Sequence, residues 1–112
     1  MSMTIMKLSD DFAVLAQIGE ADLEGIAEAG YRTVICNRPD SEEGAVPHQK
    51  IAEAAAGHGL DFVYLPVVSG QITEQDVADM AAALAAAKTP VLAYCRSGTR
   101  SGHLWQAAQA KR

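Results

Sequence analysis

Chemistry concentrates in Cys95-Arg96-Ser97-Gly98-Thr99-Arg100-Ser101, where one cysteine, two arginines and three hydroxyl residues surround a glycine. The apolar run before it, Val91–Tyr94, reads as a buried strand, and the residues after it suit a helix. In such a strand, loop and helix start, the backbone N–H groups from Arg96 to Arg100 can curl around the sulfur of Cys95. The positive end of the helix points at the same place. Gly98 supplies the positive φ that such a ring needs. A cysteine held there between Arg96 and Arg100 is expected to have a lowered thiol pKa, and the thiolate is the nucleophile. Arg100 falls in the first helical turn, where a cation opposes the helix dipole unless an anion or thiolate faces it. Arg96 either contacts substrate or faces solvent. Ser97, Thr99 and Ser101 either donate hydroxyl hydrogen bonds to the sulfur or support the turn.

Four residues separate Cys95 from Arg100. Cysteine phosphatases of the tyrosine and dual-specificity type carry five, so the loop more closely resembles that of rhodanese-type sulfurtransferases. The shorter ring of those enzymes implies a better fit to a sulfane sulfur than to a phosphoryl group. Val34-Ile35-Cys36-Asn37-Arg38-Pro39-Asp40, Tyr64-Leu65-Pro66-Val67 and the Cys95 loop together resemble the phosphatase-like domain of the β-lactamase-hydrolase-like proteins. The resemblance spans nearly the whole chain. It implies a dual-specificity-phosphatase-like fold with the shorter loop, and association with a persulfide dioxygenase as a partner in bacterial sulfide metabolism.

The leaving group separates the two chemistries. A phosphatase must protonate a departing alkoxide or phenoxide, and the resembled phosphatases use an aspartate on the loop after the Pro66-like strand end. Here that loop, Val67-Val68-Ser69-Gly70-Gln71, holds no carboxylate. Glu74 and Asp76 are better explained as helix-start residues, which leaves Asp40 as a substitute acid from another loop. Sulfur transfer needs no acid, because sulfite or a thiolate departs as an anion. Loop length and the missing acid thus lead to the expectation of a sulfurtransferase. Its Cys95 thiolate would take sulfur from a small anionic donor such as thiosulfate or glutathione persulfide and pass it to a thiol or to cyanide. A cysteine-dependent phosphatase is the alternative, and a non-catalytic anion- or persulfide-binding module the third.

The elements that position the loop follow from hydrophobic spacing. Residues 4–8 and 12–16 read as an opening hairpin or a strand with a lead-in, and residues 20–29 as an amphipathic helix that stops at Gly30. Residues 31–36 form a strand closed by Asn37-Arg38-Pro39-Asp40. A helix opening at Pro47 and a strand over 60–65 follow. Thr73-Glu74-Gln75-Asp76 resembles a capping box, with Ile72 and Val77 placed as a hydrophobic staple. Thr89-Pro90 ends that helix, and a last helix over about 101–110 seals the loop with Leu104 and Trp105. Alternating strands and helices predict an α/β fold, with a mainly parallel sheet covered by helices on both faces, like cysteine phosphatases and rhodaneses. Ligands gather at the carboxyl ends of such strands. That rule brings Arg38 and Asp40 toward Cys95 as substrate-rim candidates.

At 112 residues the chain has the size of a single domain, 1–112, with about half its residues apolar and no linker tract. A net charge of −5 and scattered Lys and Arg exclude a nucleic-acid-binding surface. The opening residues 1–7 lack the apolar core of a signal peptide, and no run is long enough to span a membrane, so a cytoplasmic location is expected. Two cysteines make no disulfide framework, and Cys36 reads as core. His48, His58 and His103 lack metal-ligand spacing, so neither a metal nor another cofactor is expected.

Overall fold

The computed structural model describes residues 4–110, so the opening stretch 1–7 weighed as a leader falls partly outside it. Five strands form one sheet in the order β1-β2-β5-β3-β4. They are β1 (Met6–Ser9), β2 (Phe12–Leu15), β3 (Thr33–Cys36), β4 (Asp61–Tyr64) and β5 (Val91–Tyr94). The expected hairpin is present as the antiparallel pair β1 and β2, and the other pairings are parallel. Each residue of β2, β3 and β5 is buried. Their continuous Val, Ile, Leu and Ala runs therefore suit strands covered on both faces.

Four α-helices provide that cover: α1 (Leu23–Glu28), α2 (His48–Gly57), α3 (Glu74–Ala86) and α4 (Thr99–Gln109). Leu23 and Ile26 of α1 and Ile51 and Ala55 of α2 pack with Val34, Leu92 and Tyr94 on one face. Met80 of α3 and Leu104 and Ala108 of α4 pack with Ile35, Val91 and Ala93 on the other. The α/β expectation with helices on both faces therefore holds.

Residues 20–29 depart from a single helix, because Glu20–Asp22 form a tight 3₁₀ turn before α1 begins. Asp22 reaches back to the Gly19 N–H at 2.8 Å and closes that turn, so the acids of the first turn act locally. The capping box at α3 forms as the sequence indicates. The Thr73 hydroxyl accepts from the Asp76 N–H at 3.0 Å, and Asp76 Oδ2 accepts from the Thr73 N–H at 2.9 Å.

The last helix starts two residues earlier than expected, at Thr99, because Gly98 turns the chain with φ +94°. A Cβ on Gly98 would lie in ordinary contact with the backbone of Leu15 at 3.5 Å, so it is the backbone conformation that favours glycine. Arg100 and Ser101 are thereby drawn into the first turn of α4. Trp105 stacks on Phe12 with ring centroids 5.3 Å apart and fastens α4 to β2.

Candidate active site

β5 lies between β2 and β3, and at its carboxyl end Cys95 is bound into the sheet by its N–H donating to Leu15 O at 3.3 Å. The Gly98 N–H donates to Cys95 Sγ at 3.0 Å. Burial works to raise the thiol pKa. The N–H and hydroxyl of Ser101, with the N–H groups of Ser97 and Gly98, favour the thiolate more strongly and bring the value below that of a free cysteine. Ser101 is fully buried, and its hydroxyl makes no hydrogen bond to another described residue that would draw it from the sulfur. Cys36 behaves oppositely. It is buried in the core, where desolvation raises its thiol pKa, and Sγ donates to Arg38 O at 3.4 Å.

Alkylation by a small haloacetamide should distinguish these two environments. Cys95 should react at least about 10-fold faster than Cys36 below the free-thiol pKa of about 8.5, read as modified peptides by mass spectrometry. Equal rates at the two cysteines across pH would contradict the activated thiolate.

Cys95 opens onto a cleft of about 1200 Å³, whose wall includes Arg38, Glu42, Arg96, Ser97, Thr99 and Arg100. Arg100 is only 9 % exposed and is held by two loops, those after β3 and β4. Its Nη1 donates to Glu42 Oε2 at 2.8 Å and to Val67 O at 2.9 Å, while Nη2 donates to Glu42 Oε1 at 3.2 Å. Its Nε is buried and has no partner among the described residues. A guanidinium whose Nη groups are tied back while a buried N–H stays unpaired is prepared for an anion.

Glu42 is the functional residue that sequence reasoning missed. Besides Arg100 it accepts from Arg38 Nε at 3.0 Å, so one carboxylate serves two interior arginines. The Arg100 hydrogen bond, outweighing the effect of burial, with the charges of Arg100 and Arg38, holds its pKa below the ordinary carboxylate value. The spacing of Arg38 and Glu42 was a visible signal for half of this arrangement. The Arg100 half crosses 58 positions of sequence.

Of the two substrate-rim candidates, Asp40 requires correction and Arg38 does not. Arg38 reaches the cleft wall but is 5 % exposed. Beyond Glu42, its Nη1 donates to Gln17 Oε1 at 3.0 Å and Nη2 to Glu43 O at 2.6 Å, so its donors are occupied in bracing the loop. Asp40 is not part of the cleft wall. Its carboxylate accepts from the His48 N–H at 2.9 Å and faces His48 Nδ1 at 2.7 Å, where it closes the start of α2. Slight burial opposes the shift, yet these contacts lower its pKa, and the carboxylate is turned to His48 away from the cleft wall. Of the loop residues, Arg96, Ser97 and Thr99 line the cleft, whereas Gly98 and Ser101 act from within the buried cradle. His103, dismissed on metal spacing, lines the cleft from α4. No cluster of His, Cys, Asp and Glu suited to a metal occurs among the described residues, and no described helix is long and apolar enough to cross a membrane.

Residues 4–112 match the family described as beta-lactamase hydrolase-like protein, phosphatase-like domain. The beta-lactamase hydrolase-like protein of Agrobacterium fabrum is 31% identical over 109 residues, covering 96% of this chain and 25% of that protein. Its counterpart in Xylella fastidiosa is 35% identical over 100 residues, covering 88% of this chain and 23% of that protein. The chain thus spans about a quarter of the length of these curated relatives. A crystal structure of a candidate phosphatase from Neisseria meningitidis superposes with a TM-score of 0.83 at 39% identity, covering 90% of this chain and 72% of that one.

These likenesses overturn the sulfurtransferase expectation, since family and structural neighbours alike are phosphatase-like. Loop length misled because the cradle is a matter of converging N–H groups and a returning guanidinium. Both are built here with four residues between Cys95 and Arg100. On sequence, structure and cleft alike, the chain belongs to the phosphatase-like domain family of the beta-lactamase hydrolase-like proteins.

Proposed function

We propose that this domain hydrolyses phosphomonoesters through a Cys95 phosphocysteine. The observation that carries the reading is the buried, unpaired Nε of Arg100 in the wall of the cleft that holds the lowered-pKa Cys95. A phosphoryl dianion is the ligand that suits a guanidinium N–H together with a ring of backbone donors. The Cys95 thiolate attacks phosphorus, the S–P bond forms, and the ester P–O bond breaks. Water then displaces the thiolate from phosphorus and releases inorganic phosphate.

The departing oxygen requires a proton. Among the side chains of the cleft wall, arginines do not supply it, and Glu42 is held ionised by Arg100 and Arg38. His103 lines the same cleft from α4, and an imidazole is a group that can both give and take a proton. His103 donates its proton to the leaving oxygen, and in the second step it takes one from the attacking water.

Release of phosphate from para-nitrophenyl phosphate and from an alkyl phosphate tests both statements. The native protein should hydrolyse each. His103→Gln should lose about 10²-fold on the alkyl ester but only about 3-fold on the nitrophenyl ester, whose phenolate leaves unprotonated. An absence of turnover on both substrates would contradict the phosphatase reading. Equal losses on the two esters would remove His103 from the role of acid.

A further inference from the structure

A second hollow of about 480 Å³ lies beside the cleft, between β1 and α4, a volume in the range of small-molecule sites. Val14, Leu15 and Trp105 contribute to its walls, and Met6 and Leu8 of β1 reach into it. Met6 is 60 % and Leu8 36 % exposed, so β1 presents large apolar side chains to water at this place. The described lining contains no Asp, Glu, Lys or Arg, whereas three arginines and two glutamates line the cleft. Gly102 leaves room between α4 and Leu8, for a Cβ there would come within 3.7 Å of Leu8 Cδ1.

The groove and the cleft share one wall. Ser97, Thr99 and His103 line both. An ester with its phosphoryl group on the Cys95 cradle and its organic part in the groove would cross that wall at the bridging oxygen. His103 stands on the same wall. Charged cleft and uncharged groove thus form one amphiphilic site, and the molecule that complements it carries a phosphate at one end and an apolar body at the other.

We propose that the groove is the subsite for the apolar organic part of a phosphomonoester, so that the domain selects esters with extended fused-ring or similarly bulky apolar groups. The choice of substrate rests on the phosphatase reading, whereas occupancy of the groove is measurable without turnover. Naphthyl and phenyl phosphates have leaving groups of similar basicity, but only naphthyl extends across the wall. The native protein should show about 10-fold higher kcat/KM for naphthyl phosphate, in keeping with burial of one further ring. A Met6→Ser and Leu8→Ser double variant should bring the ratio near one without altering turnover of phenyl phosphate. Both positions are on an exposed strand, and Gly102→Val, which fills the groove from α4, should give the same collapse of the ratio.

The chain has one tryptophan, so its indole N–H gives a single resonance that reports on Trp105. In the Cys95→Ser protein, naphthyl phosphate should shift this resonance and inorganic phosphate should leave it in place. A shift that weakens in the double variant supports the groove even where the native protein shows no turnover, the result that removes the phosphatase reading alone. Equal kcat/KM for the two esters with an unmoved indole resonance would overturn the groove and leave the phosphatase reading standing.

Discussion

Cys95→Ser should lower phosphomonoester hydrolysis on the order of 10⁴-fold or more while leaving affinity for inorganic phosphate within about 3-fold of the native value. The separation follows from the division of labour at the site. In the proposed mechanism the anion is held by backbone N–H groups and Arg100, whose own atoms the substitution leaves in place. Attack requires an anion at position 95, and a serine hydroxyl remains protonated where a thiol favoured by the N–H groups of Ser97, Gly98 and Ser101 does not. Steady-state kinetics with para-nitrophenyl phosphate and calorimetric titration with phosphate read the two quantities independently. Retention of more than about a tenth of the native rate would place the nucleophile elsewhere.

Glu42→Ala should be the most damaging substitution outside the loop itself. Arg38 and Arg100 are both interior, and Glu42 is the carboxylate that compensates each of them. Removing it leaves two poorly solvated cations facing one another, with an expected loss of about 3 kcal/mol in urea unfolding. Activity should also fall, by about 10²-fold in kcat/KM, because Arg100 loses the bidentate partner that sets its angle.

The pH dependence has a definite sign. The folded-state pKa of Glu42 is depressed below its ordinary value of 4.5, so its contribution is complete above that pH and is lost as pH falls through the lowered value. Native and Glu42→Ala proteins should therefore differ in stability at neutral pH and converge in acid. A difference under about 1 kcal/mol at neutral pH would mean that Val67 O, Gln17 and Glu43 O suffice to hold the two arginines.

Much of the architecture was legible in the chain because it depends on local pattern. The apolar runs at 31–36 and 91–94, the Thr73 capping box and the strand-to-loop passage at Cys95 need only neighbours in sequence to be recognised. What escaped depends on convergence. Arg38 and Asp40 have the composition of a binding turn, yet Gln17 braces Arg38 from the loop after β2 and His48 takes Asp40 to the start of α2. Glu42 looked like one acid among several until Arg100 reached it from α4. The reaction class was misjudged for a related reason. Loop length and the acid-free stretch 67–71 were weighed as local features, whereas the cradle is completed by Arg100 bonds that cross 33 and 58 positions of sequence.

Central placement of β5 in the sheet bears on how the site behaves in time. β5 is bonded along its length to β2 on one side and β3 on the other, while β1 and β4 form the edges. Fraying begins at edges, so backbone amides of β1 and β4 should exchange with solvent through small local openings. Those of β5 and the Cys95 N–H, bonded to Leu15 O, exchange only when the interior of the sheet opens. Cys95 therefore follows the strand expected to exchange slowest, whereas Met6 and Leu8 lie on an edge strand, where opening is expected to cost least. A rigid reacting centre and a yielding neighbour would let the domain accept apolar groups of varied shape without loosening the sulfur that attacks.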